Sequence, residues 1–314
     1  MNSILGKIKS SFGSHPGARP PVAVELSPQG VLAAASLGPG QAPVYAFQPL
    51  AADALAPSIG EPNLRAPEAV AQAIRTAIEQ VAPRARAVTL VVPDAAVRVF
   101  VLDFDDLPSR AAEAVSILRF RLRKALPFDV EQAAVSYQIL TESKAGCKVL
   151  VAVIPGSILQ EYEAVARQAG FEPGAVLSTS LAALAVIDSA EPVLAANLGA
   201  MSLTTAITHG HDLLLYRTLD LPEEPDLRRE VVQRDIAVAA AFYEDKIGAA
   251  PKLLYYVGIG AEGVSAAAGF ARWIDAPPEL KVVDLAPRPE TGATTPLGNL
   301  LSLAGVIGAL AETA

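Results

Sequence analysis

Apolar and polar positions follow two different periods along the chain, and the changes between them separate strands from helices. Residues 22–26 and 30–37 are short apolar runs around a Ser-Pro-Gln-Gly turn, which predicts a β-hairpin, and residues 41–50 could add a third strand. Residues 66–82 place apolar side chains at helical intervals after an early Pro, which predicts an amphipathic helix. Residues 87–94 are typical of a buried strand.

A basic helix stands out in the middle of the chain. The pattern predicts a strand over residues 97–104 and then a helix over residues 109–126, capped by Ser109 and stopped by Pro127. This helix carries four cations between apolar positions, namely Arg119, Arg121, Arg123 and Lys124. Two strands and a helix that ends at a Gly are expected next, over residues 133–140, 147–155 and 157–170.

The second half repeats the order of the first. A strand, a short turn containing Gly and a second strand occur again, and a long helix that ends at Gly248 follows them. The expected elements are an apolar helix over residues 179–188, strands over 193–199, 203–210 and 212–221, the long helix over 226–248, a strand over 252–260, a helix over 261–274, a strand over 281–286 and a closing helix over 299–312. Strands that alternate with helices, with hairpins at two comparable places, predict a duplicated α/β architecture.

The composition of the chain argues against several classes of function and site. The 314 residues are 52% apolar and suffice for two domains, and the net charge of −8 argues against general nucleic-acid binding. Cys147 is the single cysteine, which excludes intramolecular disulfides and cysteine-rich zinc sites and favours the cytosol. No apolar run reaches the length of roughly 18 to 20 residues that a membrane-spanning helix needs.

The N-terminal segment, residues 1–20, has two interpretations. Apolar residues lie at helical spacing opposite two lysines, so the segment could rest on an anionic membrane surface; these residues are Ile4, Leu5, Ile8 and Phe12, with Lys7 and Lys9. The alternative is a disordered tail.

Several polar clusters could carry chemistry, but each has a simpler structural explanation. His209, His211 and Asp212 lack a clear third metal ligand and are typical of a solvated turn. The hydroxyls of residues 178–180 precede an apolar helix, where such side chains usually act as caps. The acidic residues in 103–106 are typical of the end of a strand.

Residues 106–140, in which a helix reaches a Pro-Phe-Asp turn and a strand follows, resemble the inserted subdomain of the PilM family of type IV pilus assembly proteins. That family belongs to the actin-like superfamily and is related to the division protein FtsA. The resemblance extends from about Val22 to Ala309. It implies a bilobed actin-like fold, a duplicated ribonuclease H-like α/β architecture. It also implies a first lobe over residues 21–93 and 160–190, an inserted subdomain over 94–159 and a second lobe over 191–314.

In the actin-like fold, two hairpin turns approach the nucleotide phosphates, and each usually carries an Asp and a Gly. Here the first turn holds Glu25 and Ser27 at those positions, and Pro28 removes a backbone donor. The second turn keeps its Gly, but Asn197 replaces the carboxylate. The resemblance implies a degenerate nucleotide site made of Glu25, Ser27, Gly30, Asn197, Gly199, Ser202, Gly258 and Gly260.

We therefore expect a pseudo-enzyme without efficient ATP hydrolysis, for which ATP and Mg²⁺ are disfavoured cofactors. The alternatives are an active actin-like ATPase of pilus assembly and the cytoplasmic domain of a type II secretion L protein, which would require a membrane-spanning helix after this domain.

The resemblance also implies partners. PilM proteins bind the cytoplasmic N-terminal peptide of the membrane protein PilN beside the inserted subdomain, which predicts a cytoplasmic scaffold associated with the inner membrane and with other pilus assembly proteins. Phe104, Leu107, Phe128 and Tyr137 flank the insertion and are the candidate peptide contacts. The four cations of the basic helix could face a partner, face the anionic inner leaflet or remain solvated.

Overall fold

The structure is a computed structural model. It describes residues 19–38, 41–144, 146–210, 212–258, 265–286 and 302–311. The predicted N-terminal segment, except its last two residues, lies outside the described residues, as do His211 and Gly260.

The first lobe is built on a five-stranded sheet with the order β3-β2-β1-β4-β8. Its strands are β1 (Val22–Ser27), β2 (Gly30–Ala35), β3 (Val44–Pro49), β4 (Ala87–Val92) and β8 (Glu172–Ser178). The hairpin strands pair antiparallel, whereas β1, β4 and β8 run parallel. Helices α1 (Pro67–Val81) and α3 (Gly156–Gln168) pack on this sheet.

The second lobe repeats this sheet with the order β11-β10-β9-β12-β13 and the same pattern of antiparallel and parallel pairs. Its strands are β9 (Pro192–Leu198), β10 (Ser202–His209), β11 (Asp212–Asp220), β12 (Leu253–Gly258) and β13 (Lys281–Asp284). Helices α5 (Pro225–Ile247) and α6 (Ala266–Trp273) pack on it. The identical strand orders confirm the predicted duplicated architecture.

A third sheet, with the order β5-β7-β6, is inserted between β4 and α3. Its strands are β5 (Arg98–Phe104), β6 (Ala133–Ser143) and β7 (Gly146–Pro155). Alternating side chains give this sheet two apolar faces. One face joins the core of the first lobe through Leu150 and Ile154, and the other packs against helix α2 (Ala111–Leu122). The predicted domain boundary at 159/160 falls within α3.

The predicted Ser109 cap of the basic helix is wrong. Helix α2 begins at Ala111, its N-cap residue is Arg110, and no side chain caps it. Regular helix ends at Leu122, and one further turn, closed by the Leu126 N–H donating to Leu122 O, leads to Pro127.

Two short helices lie where the lobes meet. Helix α4 (Thr179–Leu184) follows β8, and α7 (Ala304–Leu310) occupies the equivalent place after β13. A Cβ on Gly308 would overlap the carbonyl oxygen of Ala182, so the approach of α7 to α4 requires a glycine at this position. This tight contact joins the end of the second lobe to the first. None of the helices in the described ranges is long and apolar enough to cross a membrane.

Candidate functional site

A cleft opens between the lobes at the carboxyl ends of β1 and β9. Its walls include residues 27–29 of the first hairpin turn and residues 198–202 of the second, together with Glu25, Asp94 and Thr179. In parallel α/β sheets this end is where ligands usually bind. The residues that the structure describes enclose a cavity of about 80 Å³ here. The cleft therefore brings together five of the predicted nucleotide-site residues of the two turns, whereas Gly30 does not line it; the five are Glu25, Ser27, Asn197, Gly199 and Ser202.

The first turn is closed by its own side chains. The hydroxyl of Ser27 donates to the Gly30 carbonyl at 3.0 Å, so this predicted phosphate position is engaged within the turn. Pro28 has no N–H to offer. A Cβ on Gly30 would overlap Gln48 O and the Phe47 ring, so strand packing explains this glycine without a ligand.

The carboxyl group of Glu25 is buried beneath this turn. Burial raises its pKa from 4.5 to about 8, the nearby Asp94 adds to the shift, and a hydrogen bond with Thr179 opposes it. One oxygen, Oε2, is buried without a hydrogen-bond partner among the described atoms. A Cβ on Gly305 in α7 would overlap this carboxyl group. Burial of Oε2 therefore favours the neutral form of the Glu25 carboxyl group.

Backbone groups of the second turn also form hydrogen bonds within the protein. The Gly199 N–H donates to Ser202 O at 2.9 Å, and Arg228 Nη2 donates to the Gly199 carbonyl at 2.8 Å. A Cβ on Gly199 would find ordinary contacts, the nearest at 3.5 Å to Ser202 O, so close packing does not explain this glycine.

A buried hydrogen-bond network centred on Asp94 connects the lobes. Asp94 lies in the short turn after β4 and is 5% exposed. Its Oδ2 accepts from the Ser180 hydroxyl at 2.6 Å and from Asn197 Nδ2 at 2.9 Å. Its Oδ1 accepts from Ser180 N at 3.1 Å and from the Tyr216 hydroxyl at 3.4 Å. We call Asp94, Ser180, Asn197 and Tyr216 the Asp94 network.

The Asp94 network orients the amide group of Asn197. The Asn197 amide nitrogen also lies 3.0 Å from the Ser180 hydroxyl, so it is directed at the first lobe instead of the cleft. Burial raises the pKa of Asp94, whereas the hydrogen bonds from Ser180 stabilise its charged form and oppose the shift. Outside the network, Arg98 of β5 forms an ion pair of 2.6 Å with Asp220 of β11. The second lobe is thus attached to both the first lobe and the inserted sheet.

The third nucleotide element is described only at Gly258. A Cβ there would overlap the hydroxyl of Tyr256, whose ring stacks on Phe270 at 4.3 Å. This glycine therefore has a packing reason as well.

The candidate peptide contacts lie in one apolar cluster between α2 and the inserted sheet. Leu107 is buried in it, whereas Phe104, Phe128 and Tyr137 are partly exposed at its margin. A simpler expectation is also met, because Ser178 caps α4 by accepting from Leu181 N. In the part of the chain that the structure describes, no group of His, Cys, Asp and Glu is suited to a metal, and His211 lies outside that part.

Sequence reasoning missed Asp94 and Tyr216. Asp94 comes directly after a buried parallel strand, and this position could have marked it as a residue of the cleft. No sequence signal points to Tyr216, which lies in the middle of β11 and reaches Asp94 only through the packing of the lobes.

No protein-family model and no curated protein sequence matches the chain. Solved structures do. A chain of the "PilM-PilN type IV pilus biogenesis complex" superimposes with a TM-score of 0.72 at 17% identity, covering 92% of this chain and 97% of that one. The cytoplasmic domain of EpsL, an inner-membrane component of the type II secretion system of Vibrio cholerae, superimposes with a TM-score of 0.50 at 14% identity, covering 92% of both chains. These similarities confirm the predicted bilobed actin-like fold.

Proposed function

We propose that this protein is a cytoplasmic scaffold of a type IV pilus assembly machine that binds the N-terminal peptide of a PilN-like inner-membrane protein. The supporting observation is that the match to the chain of the PilM-PilN complex extends over nearly the whole length of both chains. The match to the EpsL domain covers the same share of this chain with a lower TM-score, which favours the pilus assignment over the secretion L protein.

The peptide would dock on the inserted subdomain. Phe104, Phe128 and Tyr137 are partly exposed over an apolar core, so they offer apolar contact area without a large loss of rotamer entropy. The strand β6 is at one edge of its sheet, and an extended peptide could add main-chain hydrogen bonds there. Such binding would hold the scaffold at the membrane, together with other pilus assembly proteins.

We further propose that the cleft no longer performs nucleotide chemistry. Magnesium and its waters are normally oriented by ionised carboxylates. Here burial favours the neutral form of Glu25, and the amide nitrogen of Asn197 is engaged in the Asp94 network. Gly199 N–H donates within its own turn, and Pro28 has no N–H, so both turns have lost donors that a phosphate would need. The residues present do not fit a magnesium triphosphate in this arrangement.

Peptide binding is tested by fluorescence anisotropy with a labelled peptide that comprises the cytoplasmic N-terminal residues of the PilN-like protein. We expect saturable binding that Phe128→Ala or Tyr137→Ala weakens by about tenfold, because each removes a partly exposed aromatic contact. Leu227→Ala on α5 is the matched control, since Leu227 is exposed and remote from the inserted sheet. Absence of binding at high micromolar peptide would contradict the scaffold.

Nucleotide binding is tested separately, by titration with a fluorescent ATP analogue and Mg²⁺. We expect no saturable binding in the micromolar range. Saturable binding with turnover would instead support the active ATPase.

A further inference from the structure

The outer face of α2 exposes apolar side chains that fold stability does not require. The inner face of the helix packs Ala114, Leu118 and Leu122 against the inserted sheet. On the opposite side, Ile117 is 38% exposed and Phe120 is 79% exposed. Phe120 is the most exposed large apolar side chain in the part of the chain that the structure describes. Burial of a Phe is strongly favourable, so an aromatic ring left in water here calls for an explanation.

Three cations follow Phe120 closely in the sequence. Arg121, Arg123 and Lys124 are exposed, and none of them forms an ion pair with a described carboxylate. Arg119, in contrast, is partly buried and donates to the Ala133 carbonyl at 2.9 Å, so its role is structural. Cations near a helix C-terminus are favourable for the helix dipole. The dipole accounts for one cation in the last turn, but it does not account for an exposed Phe beside three of them.

We propose that this face of α2, which we call the α2 patch, binds the surface of a membrane that contains anionic lipids. The α2 patch consists of Ile117, Phe120, Arg121, Arg123 and Lys124. Phe120 and Ile117 enter the interface between headgroups and acyl chains, and the three cations contact headgroup phosphates. The positive charge of the α2 patch favours anionic lipid. The protein as a whole has a net charge of −8, so an anionic membrane would repel it without such a local positive patch.

The shape of the α2 patch favours lipid over an acidic protein segment. Anchor residues of protein interfaces are normally surrounded by further contacts that exclude water from them. Near Phe120 on the helix, Ile117 is the other exposed large apolar side chain, while Glu113 and Ser116 on the adjoining turn are exposed and polar. An exposed ring that is followed by exposed cations one, three and four residues along the chain suits a soft, fluid surface, which needs no preformed pocket. The affinity is low, so the contact acts together with a second attachment to the membrane.

This inference does not depend on peptide binding. The α2 patch uses the outer face of α2, whereas the candidate peptide contacts lie on its inner side, between α2 and the sheet. A failure of one would therefore leave the other intact.

The first test is flotation of the full chain with lipid vesicles. We expect binding to phosphatidylcholine vesicles that contain about 30% phosphatidylglycerol, and no binding to pure phosphatidylcholine. Replacing Arg121, Arg123 and Lys124 together by Gln should weaken the partition coefficient by about 100-fold, since each cation near an anionic surface contributes roughly fivefold. The matched control replaces Arg84, Lys252 and Lys281 by Gln, which changes the net charge equally at exposed positions elsewhere.

The same assay tests the apolar contact. Phe120→Ser should weaken binding by at least tenfold, whereas Leu227→Ser, at another exposed apolar position on a helix, should have no effect. If the Gln variant of the α2 patch binds anionic vesicles as tightly as the unchanged protein, the proposal is wrong.

The second test locates the contact, because the N-terminal segment could also bind lipid. Trp273 is the single tryptophan of the chain, so Phe120→Trp combined with Trp273→Phe places the only indole in the α2 patch. We expect a blue shift of the emission with anionic vesicles and none with phosphatidylcholine. Vesicle binding without this shift would assign the membrane contact to another part of the chain and overturn the proposal. A photo-crosslinker at position 120 that captures an acidic protein and no lipid would overturn it as well.

Discussion

The two lobes present equivalent turns to the cleft, and the groups at the two turns differ in how they disfavour negative charge. In the second lobe the side chain itself is neutral, because Asn197 occupies the position after which the strand turns. In the first lobe the carboxyl group remains, but burial raises the pKa of Glu25 to about 8. The difference teaches that a carboxylate in a sequence motif is not evidence of charge. Burial favours the neutral form of such a group.

A single side chain couples the two turns. Asp94 accepts hydrogen bonds from Ser180 of the first lobe and from Asn197 and Tyr216 of the second. It is also close enough to Glu25 to raise the pKa of that group. The polar groups at the base of the cleft therefore hold the lobes together, and they are saturated mainly by one another.

Among the substitutions at the cleft, removal of the Asp94 carboxylate should have the largest effect on the free energy of unfolding. We expect Asp94→Ala to lower the free energy of unfolding by about 4 kcal/mol, because buried donors on Ser180, Asn197 and Tyr216 lose their acceptor. The measurement is chemical denaturation at pH 7. Glu79→Ala, at an exposed acidic position on α1, serves as control and should stay within about 0.5 kcal/mol of the unchanged protein. A loss below 1 kcal/mol for Asp94→Ala would mean that the network does not hold the lobes together.

Placing a carboxylate at the second turn should have the next largest effect on the free energy of unfolding. Asn197→Asp replaces an amide that donates to Asp94 at 2.9 Å and to Ser180 at 3.0 Å by a second acid beside Asp94. We expect a loss of about 3 kcal/mol at pH 8 and a smaller loss at pH 5, since one of two adjacent carboxyl groups must hold a proton. Denaturation at both pH values provides the internal control.

The same variant also tests the proposed loss of nucleotide chemistry. We expect no gain of Mg²⁺-dependent ATP hydrolysis, because Glu25 and Pro28 in the first turn are unchanged. A gain of turnover would show that a single residue separates this cleft from an active one.

Local patterns predicted most of the fold, and contacts between distant residues explain what they missed. The long helix α5 ends at Gly248, whose φ of 82° is the left-handed conformation expected of a C-terminal glycine. Strand β8 was not predicted, because Pro173 and Gly174 interrupt its pattern; an edge strand tolerates both. The Asp94 network joins residues 86, 103 and 122 positions apart, namely Ser180, Asn197 and Tyr216. Neither local periodicity nor a short motif can show such a network.

Neutralising Glu25 permanently should have the smallest effect and the clearest pH dependence. Because the folded-state pKa of Glu25, about 8, lies above the ordinary value of 4.5, the folded protein holds this proton more tightly than the unfolded chain. The corresponding stability is fully present below pH 4.5 and is lost as the pH rises to about 8. The raised pKa of Asp94 acts in the same direction.

Glu25→Gln removes the Glu25 contribution to this slope, which is at most about 1.4 kcal/mol per pH unit. We therefore expect the variant to lie close to the unchanged protein in stability at pH 5 and to become progressively more stable than it as the pH rises to 8. Denaturation midpoints from pH 5 to pH 9 measure the difference, and Glu79→Gln, at an exposed position, should leave the slope unchanged. If Glu25→Gln is destabilising at pH 8, Glu25 is ionised and paired in the folded protein. The first turn would then carry a negative charge, and the two lobes would differ in charge at the cleft.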